Sequence, residues 1–249
     1  MNRLKCAVAV LVLGLTGFLM FSAISSLLQS TGLNARRAST FGGQMPVIII
    51  DPGHGGIDGG AVGIGNIIEK DINLEIAFIL RDLFLVNGFE VVMTREEDIS
   101  IHDSEVTGIR AQKTSDLRNR LALIESFPDN IFISIHQNKF GDSSQRGTQV
   151  FYGSKNPGSE LLAELVQRNV ISMLQPENRR QHKEGSSNLF LIYEARSPAI
   201  LVECGFLSNP QDVENLTDRQ YQAQIAFAIF CSTLEFLGME LPVSLATGN

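Results

Sequence analysis

Four residues of types that bind metal ions or transfer protons each stand beside a predicted strand end or helix start: His54, Glu69, His136 and Glu203. Three of them follow short apolar runs that are typical of buried strands, and Glu69 begins a run with helical periodicity. The carboxyl ends of parallel strands share one edge of an open α/β sheet, where binding sites collect. We therefore expect the four side chains to converge, although each taken singly has an ordinary structural explanation.

This combination of residue types indicates metal-dependent hydrolysis. Two histidines and one glutamate with an open fourth position are a ligand set that proteins use for catalytic zinc. Zinc with two neutral imidazoles and one carboxylate keeps a charge of about +1, which polarises a carbonyl and lowers the pKa of bound water toward about 7. Glu203, on the same sheet edge, could pass the proton of the water to a leaving nitrogen. The candidate metal ligands are therefore His54, Glu69 and His136, with Glu203 as the candidate acid–base.

Other chemistries find no support in the sequence. It contains neither G-x-G-x-x-G nor G-x-x-x-x-G-K-[ST], so the glycine-rich stretch 53–65 does not predict a nucleotide site. The absence of G-x-S-x-G argues against a serine hydrolase, and the absence of C-x-x-C against a thiolate zinc site. The net charge of −7 argues against a nucleic-acid partner. Cys204 is interpreted as a buried small hydrophobe, and His102 and His182, in polar loops, as solvated.

Two further features leave alternatives open. Asp51 is close enough in sequence to orient His54, or its side chain instead orders the glycine-rich turn. Cys204 and Cys231 could form one disulfide if the domain is exported.

The pattern of apolar residues predicts the elements that position these side chains. The sequence predicts six strands, several of them uniformly apolar, over residues 47–50, 89–93, 131–135, 147–152, 189–193 and 199–202. Helical periodicity predicts four helices, over about 69–86, 115–127, 159–174 and 218–237. Residues 176–188 are predicted as a polar loop. Strands that alternate with helices indicate a single α/β domain with a twisted, mostly parallel sheet and helices on both faces.

Three sections are predicted along the chain: a membrane anchor or signal peptide over 1–28, a linker over 29–45 and a catalytic domain over 46–240. Arg3 and Lys5 precede a stretch without charge from Cys6 to Gln29, which is close to the length that spans a bilayer. We expect an uncleaved transmembrane anchor. The alternative is a signal peptide that is cleaved near residues 23–25.

Several motifs, in this order, resemble those of the zinc-dependent N-acetylmuramoyl-L-alanine amidases of type 3. The matching strings are V-I-I-I-D-P-G-H-G-G at 47–56, D-G-G-A at 58–61, E-K-D at 69–71, T-R-x-x-D at 94–98, S-I-H-x-N at 134–138, G-T-Q-V-F-Y at 147–152 and L-V-E-C-G-F-L-S-N at 201–209. The resemblance covers residues 46 to about 238. It departs at Gln137, where a small residue is usual, and at Glu125, where asparagine is frequent. We expect Gln137 to alter the shape of the cleft.

The resemblance implies zinc binding by His54, Glu69 and His136, and a catalytic role for Glu203. It implies hydrolysis of the amide bond between N-acetylmuramic acid and L-alanine in peptidoglycan, outside the cytoplasm. A short apolar segment followed directly by a compact catalytic domain is similar to the germination-specific amidases of spore-forming bacteria. Those enzymes remove peptides from spore-cortex muramic acid, a step toward muramic-δ-lactam, and some of them depend on a lipoprotein partner.

Three alternatives to this function are a general vegetative wall amidase (an autolysin), a zinc peptidase that cuts wall peptides, and a catalytically silent wall-binding protein. The last is disfavoured because all three candidate ligands and Glu203 are present, whereas a degenerate domain is expected to lose some of them.

Overall fold

The computed structural model describes residues 45–239, so the predicted anchor or signal peptide and nearly all of the linker lie outside the described part. Within the described range, no helix combines the length and apolar character needed to cross a membrane.

A six-stranded sheet forms the centre of the domain, in the order β2-β1-β3-β6-β4-β5. The strands are β1 (Val47–Pro52), β2 (Val91–Met93), β3 (Asn130–Asn138), β4 (Gln149–Tyr152), β5 (Lys183–Glu184) and β6 (Ala199–Phe206). Strands β2, β1, β3 and β6 run parallel to one another. Strand β4 is antiparallel to β6 and parallel to β5, so the sheet is mixed. The parallel part is the part that carries the candidate site residues.

Within residues 45–239, six α-helices surround the sheet: α1 (Glu69–Val86), α2 (Ile109–Glu125), α3 (Gly158–Met173), α4 (Phe190–Glu194), α5 (Pro210–Thr217) and α6 (Arg219–Phe236). A short 3-10 turn, Ile64–Asn66, precedes α1. Helices α1, α3 and α6 pack together on one face, where the rings of Phe84 and Phe230 lie 5.1 Å apart. On the other face, Ile124 of α2 and Ile192 of α4 pack with Phe132 of β3. The prediction of an α/β sheet flanked by helices is therefore confirmed.

The strand predicted over 189–193 is wrong, because this segment forms the short helix α4. A short apolar run does not distinguish a strand from a buried helical turn. Leu191 and Ile192 are both buried, as in a helix that presses one side against the core, whereas successive side chains of a strand would point to opposite faces.

Three other elements also differ from prediction. Helix α2 begins at Ile109 and not near 115, and the loop predicted over 176–188 contains β5. Helix α5 was not predicted, although Asn209 caps it by accepting hydrogen bonds from the backbone N–H groups of Gln211 and Asp212, and Pro210 occupies its first turn. An asparagine cap followed by proline is a recognisable start signal for a helix.

Candidate functional site

The loop after β1 turns sharply and places His54 over the carboxyl edge of the sheet. His54 has φ 64°, and Gly55 and Gly56 also have positive φ. A non-glycine residue in this region costs about 1–3 kcal/mol unless its surroundings hold it. Here two buried arginines bind the backbone carbonyls of the turn: Arg95 Nε donates to Pro52 O at 2.9 Å, and Arg120 Nη2 donates to His54 O at 2.7 Å.

Glu69 is the first residue of α1 and is 3% exposed. Its Oε2 accepts a hydrogen bond from the N–H of Ala61 at 2.8 Å, and its Oε1 accepts one from the N–H of Gln137 at 3.1 Å. Both oxygens of the carboxylate are thus fixed by backbone groups, one from the glycine-rich loop and one from β3.

The structure brings His54, Glu69 and His136 together. Oε1 of Glu69 lies 3.2 Å from His54 Nε2 and 2.8 Å from His136 Nδ1, and the two imidazole rings are 4.8 Å apart between centroids. One potential ligand atom from each residue lies within 4.8 Å of the others. Among residues 45–239 this is the cluster of histidine and acidic side chains that could hold a metal ion.

Two glycines beside the cluster leave space for its side chains because they lack a Cβ atom. A Cβ atom at Gly53 would lie 2.2 Å from Nε2 of His136, and one at Gly60 would lie 2.5 Å from Oε2 of Glu69. Two imidazole nitrogens and one carboxylate oxygen at close range are donors that suit zinc. The residues present therefore fit a zinc ion.

Asp58, which sequence reasoning missed, supports His54. Its Oδ2 lies 2.9 Å from His54 Nδ1, and its Oδ1 lies 2.7 Å from Nζ of Lys113. An N–H at Nδ1 that donates to Asp58 leaves the lone pair of Nε2 directed at the cluster. The available sequence signal was a carboxylate four residues after the histidine within a tight glycine-rich loop.

Asp51 takes the second of the two roles considered for it. Its carboxylate accepts hydrogen bonds from Thr94 Oγ1, Arg120 Nη1 and Ser134 Oγ at 2.6 to 2.7 Å, and none from His54. Burial by itself would raise the pKa of Asp51, but Arg120 and the two hydroxyl donors outweigh burial and lower that pKa to about 2. Asp51 therefore orders the turn by holding Arg120, which binds the carbonyl of His54.

The electrostatics of the cluster favour a bound cation. Burial opposes charge on both His54 and Glu69, yet their mutual contacts prevail. Hydrogen bonds to Asp58 and Glu69 raise the pKa of His54 to about 9, and His136 and His54 hold the pKa of Glu69 well below its usual range. Without a metal, the proton on His54 supplies positive charge that the carboxylates of Asp58 and Glu69 attract.

Glu203 lies beside His136, because the two residues are register partners on the parallel strands β3 and β6. Side chains of register partners point to the same face of a sheet. Oε2 of Glu203 is buried without a hydrogen-bond partner, and burial raises the pKa of this carboxyl to about 7. A register shift, a β-bulge, follows Glu203 directly, and bulges often re-aim side chains at active sites.

A cavity of about 440 Å³ joins these groups. Its lining includes His54, Glu69, His136 and Glu203, together with Lys113, Asn188 and Phe190. The four residues predicted from sequence therefore share one cleft.

The remaining candidates lie elsewhere. Neither His102 nor His182 lines the cavity, and both are partly buried where full solvation was expected: His102 Nδ1 contacts Ser100 Oγ at 2.9 Å, and His182 lies near the ring of Tyr152. Cys204 is buried, as predicted, and burial raises the pKa of its thiol above its usual value. Cys204 and Cys231 are both free thiols, so the disulfide considered from sequence is not formed.

Comparison with known proteins gives matches over most of the chain. Residues 48–232 match the family model described as N-acetylmuramoyl-L-alanine amidase. The germination-specific N-acetylmuramoyl-L-alanine amidase of Bacillus subtilis is 37% identical over 190 residues, which cover 76% of this chain and 79% of that protein. The N-acetylmuramoyl-L-alanine amidase LytC of the same organism is 29% identical, and the match covers 76% of this chain but 35% of LytC.

Solved structures resemble the fold as well. The CwlD amidase from Clostridioides difficile, solved in complex with the GerS lipoprotein, superimposes with a TM-score of 0.75 at 37% identity, covering 78% of this chain and 98% of that one. The catalytic domain of the amidase CwlV from Bacillus (Paenibacillus) polymyxa gives a TM-score of 0.64 at 31% identity, covering 79% and 100%.

Proposed function

This chain belongs to the N-acetylmuramoyl-L-alanine amidase family and is an N-acetylmuramoyl-L-alanine amidase, and from this premise we propose that it works as a zinc enzyme with His54, Glu69 and His136 as ligands and Glu203 as acid–base. The observation that carries the proposal is the convergence of three ligand atoms within 4.8 Å beside a buried carboxyl that has an unpartnered oxygen.

Zinc bound by these three residues would supply Lewis acidity, which withdraws electron density from the scissile carbonyl and from the attacking water. Glu203, desolvated and without a partner at Oε2, accepts a proton from that water as the new C–O bond forms. It then delivers the proton to the nitrogen of L-alanine as the C–N bond breaks. The second proton of the water also ends on the amine, so the products are a carboxylate on the muramic acid and an ammonium group on the L-alanine of the peptide, and atoms and charge balance.

Product analysis tests the amide-bond assignment against the alternative of a zinc peptidase. Purified chain incubated with peptidoglycan should release sugar-free peptides with a new L-alanine amino terminus, together with glycan strands that keep an intact lactyl carboxylate. Chromatography and mass spectrometry identify both products. Peptides cut internally, with L-alanine still attached to muramic acid, would contradict the assignment.

The metal ligands are tested by His136→Ala. Loss of one of three ligands should lower bound zinc from about one per chain to a small fraction of that, because the remaining two donors no longer enclose the ion. Elemental analysis of the purified variant measures this. Circular dichroism should still show the fold. Gln181→Ala, on an exposed loop, is the matched control and should keep the zinc of the unaltered chain. Zinc content that is unchanged in His136→Ala would show that the ligand set is wrong.

The natural substrate that we propose is spore-cortex peptidoglycan. The support is the 37% identity to a relative named a germination-specific amidase and to the CwlD structure. Removal of peptides from muramic acid leaves the lactyl carboxylate that a δ-lactam requires. In a spore former that lacks its own germination-specific amidase, this chain should restore muramic-δ-lactam to the cortex, whereas a vegetative autolysin should not.

We also propose that the chain acts outside the cytoplasm, held at the membrane by its N-terminal segment, with a lipoprotein as its activator. This proposal is supported by the location of the substrate, by the N-terminal sequence and by the similarity to CwlD. Peptidoglycan lies outside the membrane, Arg3 and Lys5 precede the uncharged stretch from Cys6 to Gln29, and the CwlD relative was solved with a lipoprotein.

A further inference from the structure

A short chain of buried amides lies behind Glu69. Asn73 is four residues after Glu69 on α1, so the two side chains lie on the same face of the helix. Gln137 follows His136 on β3 and is 3% exposed, and Asn73 is fully buried. Gln137 is among the residues that line the cavity, so the expectation that it alters the shape of the cleft stays a prediction, and its amide group is bonded to α1, the helix that carries Glu69.

The hydrogen bonds of this chain have a defined direction. Gln137 Nε2 donates to Asn73 Oδ1 at 3.2 Å. Asn73 Nδ2 donates to the carbonyl of Gly53 at 3.1 Å and points to Glu69 Oε1 at 3.5 Å. If the amide of Asn73 were flipped, its oxygen would face the Gly53 carbonyl and the Glu69 carboxylate, which are both acceptors. The two acceptors thus favour the orientation in which Asn73 Nδ2 faces Glu69, and the donor from Gln137 complements it at Asn73 Oδ1.

The Gln137 side chain also carries a cost that an apolar residue would avoid. Its Oε1 is buried without a hydrogen-bond partner, and a buried unpaired acceptor is destabilising. The main-chain N–H of the same residue donates to Glu69 Oε1. Residue 137 thus reaches Glu69 twice, directly through its backbone and indirectly through Asn73.

We propose that Gln137 and Asn73 are positioning residues that fix the carboxylate of Glu69 for metal binding. The inference rests on the proposed role of Glu69 as a zinc ligand. Residues that hydrogen-bond a metal ligand typically change metal affinity by about 10- to 100-fold when they are removed.

The test measures the zinc dissociation constant of the full chain by competition with a chelator. Gln137→Met keeps the length of the side chain and removes the donor, so zinc should bind about 10- to 100-fold more weakly. Gln167→Met is the matched control. Gln167 is an equally buried amide on α3 that bonds Val150 N and Thr148 O, away from the cleft. It should lose stability and leave zinc affinity within about 2-fold, since its contacts do not reach Glu69.

Glu69→Ala separates failure of this inference from failure of the proposed function. Zinc affinity that survives in Glu69→Ala would refute the ligand assignment itself. If zinc affinity is lost in Glu69→Ala but is the same in Gln137→Met as in Gln167→Met, the positioning role is overturned and the ligand assignment stands. If Gln137→Met does not fold, Gln137→Ala introduces a small residue instead and is measured in the same way. Gln137 acts on Glu69 through Asn73, so the double variant of Asn73→Leu with Gln137→Met or Gln137→Ala should bind zinc no more weakly than Asn73→Leu alone. Additive losses of affinity would contradict this serial arrangement of the two amides.

Discussion

Glu203→Gln is expected to lower kcat for hydrolysis of the muramoyl–alanine bond by about 100-fold or more, the range for loss of a positioned acid–base group. The amide keeps the size of the side chain but can neither accept the proton of the water nor return it to the leaving nitrogen. Zinc content should not change, because Glu203 is not among the three clustered ligands. The zinc-free variant should be at least as stable as the zinc-free parent, since burial raises the pKa of Glu203 to about 7 and thus disfavours its charged form.

The measurement compares steady-state turnover of a defined muropeptide, zinc content and thermal unfolding for both proteins. Glu235→Gln is the control for an ordinary carboxylate, because Glu235 pairs with Arg168 on the exposed surface. It should keep full turnover. Near-normal kcat in Glu203→Gln, with zinc bound, would remove Glu203 from the mechanism and leave the ligand set intact.

Arg120→Met is expected to lower the free energy of unfolding by about 3–5 kcal/mol, the range for breaking a buried ion pair from one side. Arg120 is 2% exposed and its Nη1 lies 2.6 Å from Asp51, while its Nε lies 2.7 Å from Asp116. The variant leaves the carboxylate of Asp51 buried without its cation. It also removes the donor to the carbonyl of His54, so zinc affinity should fall together with stability.

Urea unfolding monitored by circular dichroism measures the change. Arg168→Met is the control, because Arg168 makes two hydrogen bonds to Glu235 but is about half exposed. An exposed pair of this kind contributes about 0–1 kcal/mol. Equal losses of unfolding free energy in the two variants would show that the buried Arg120 network contributes no more to stability than an exposed ion pair. Asp51→Asn, which lowers the charge that Arg120 faces, should also be destabilising.

The elements with strong patterns could be predicted, and those without could not. The apolar strands β1, β3 and β6 and the amphipathic helix α1 were evident because one residue type dominates each run or face. Segment 189–193 was misassigned since five apolar or aromatic residues suit a strand as well as a helical turn. Packing of Leu191 and Ile192 in the core decided between them.

The direction of β4 also could not be predicted from the local sequence pattern. Its residues suit a strand of either direction, and its antiparallel pairing with β6 is seen only in the structure.

Residue types and their spacing along the chain were enough to predict which residues meet at the candidate site. His54, Glu69, His136 and Glu203 each follow or begin a strongly patterned element, and parallel strands bring their carboxyl ends to one edge. The contacts that support these residues became visible in the folded domain. It assigned Asp58 and not Asp51 to His54, turned Gln137 toward Asn73, and set Glu203 beside His136 in a desolvated position. The physical reason is that hydrogen-bond partners and burial depend on contacts between residues distant in sequence, whereas strand and helix periodicity is local.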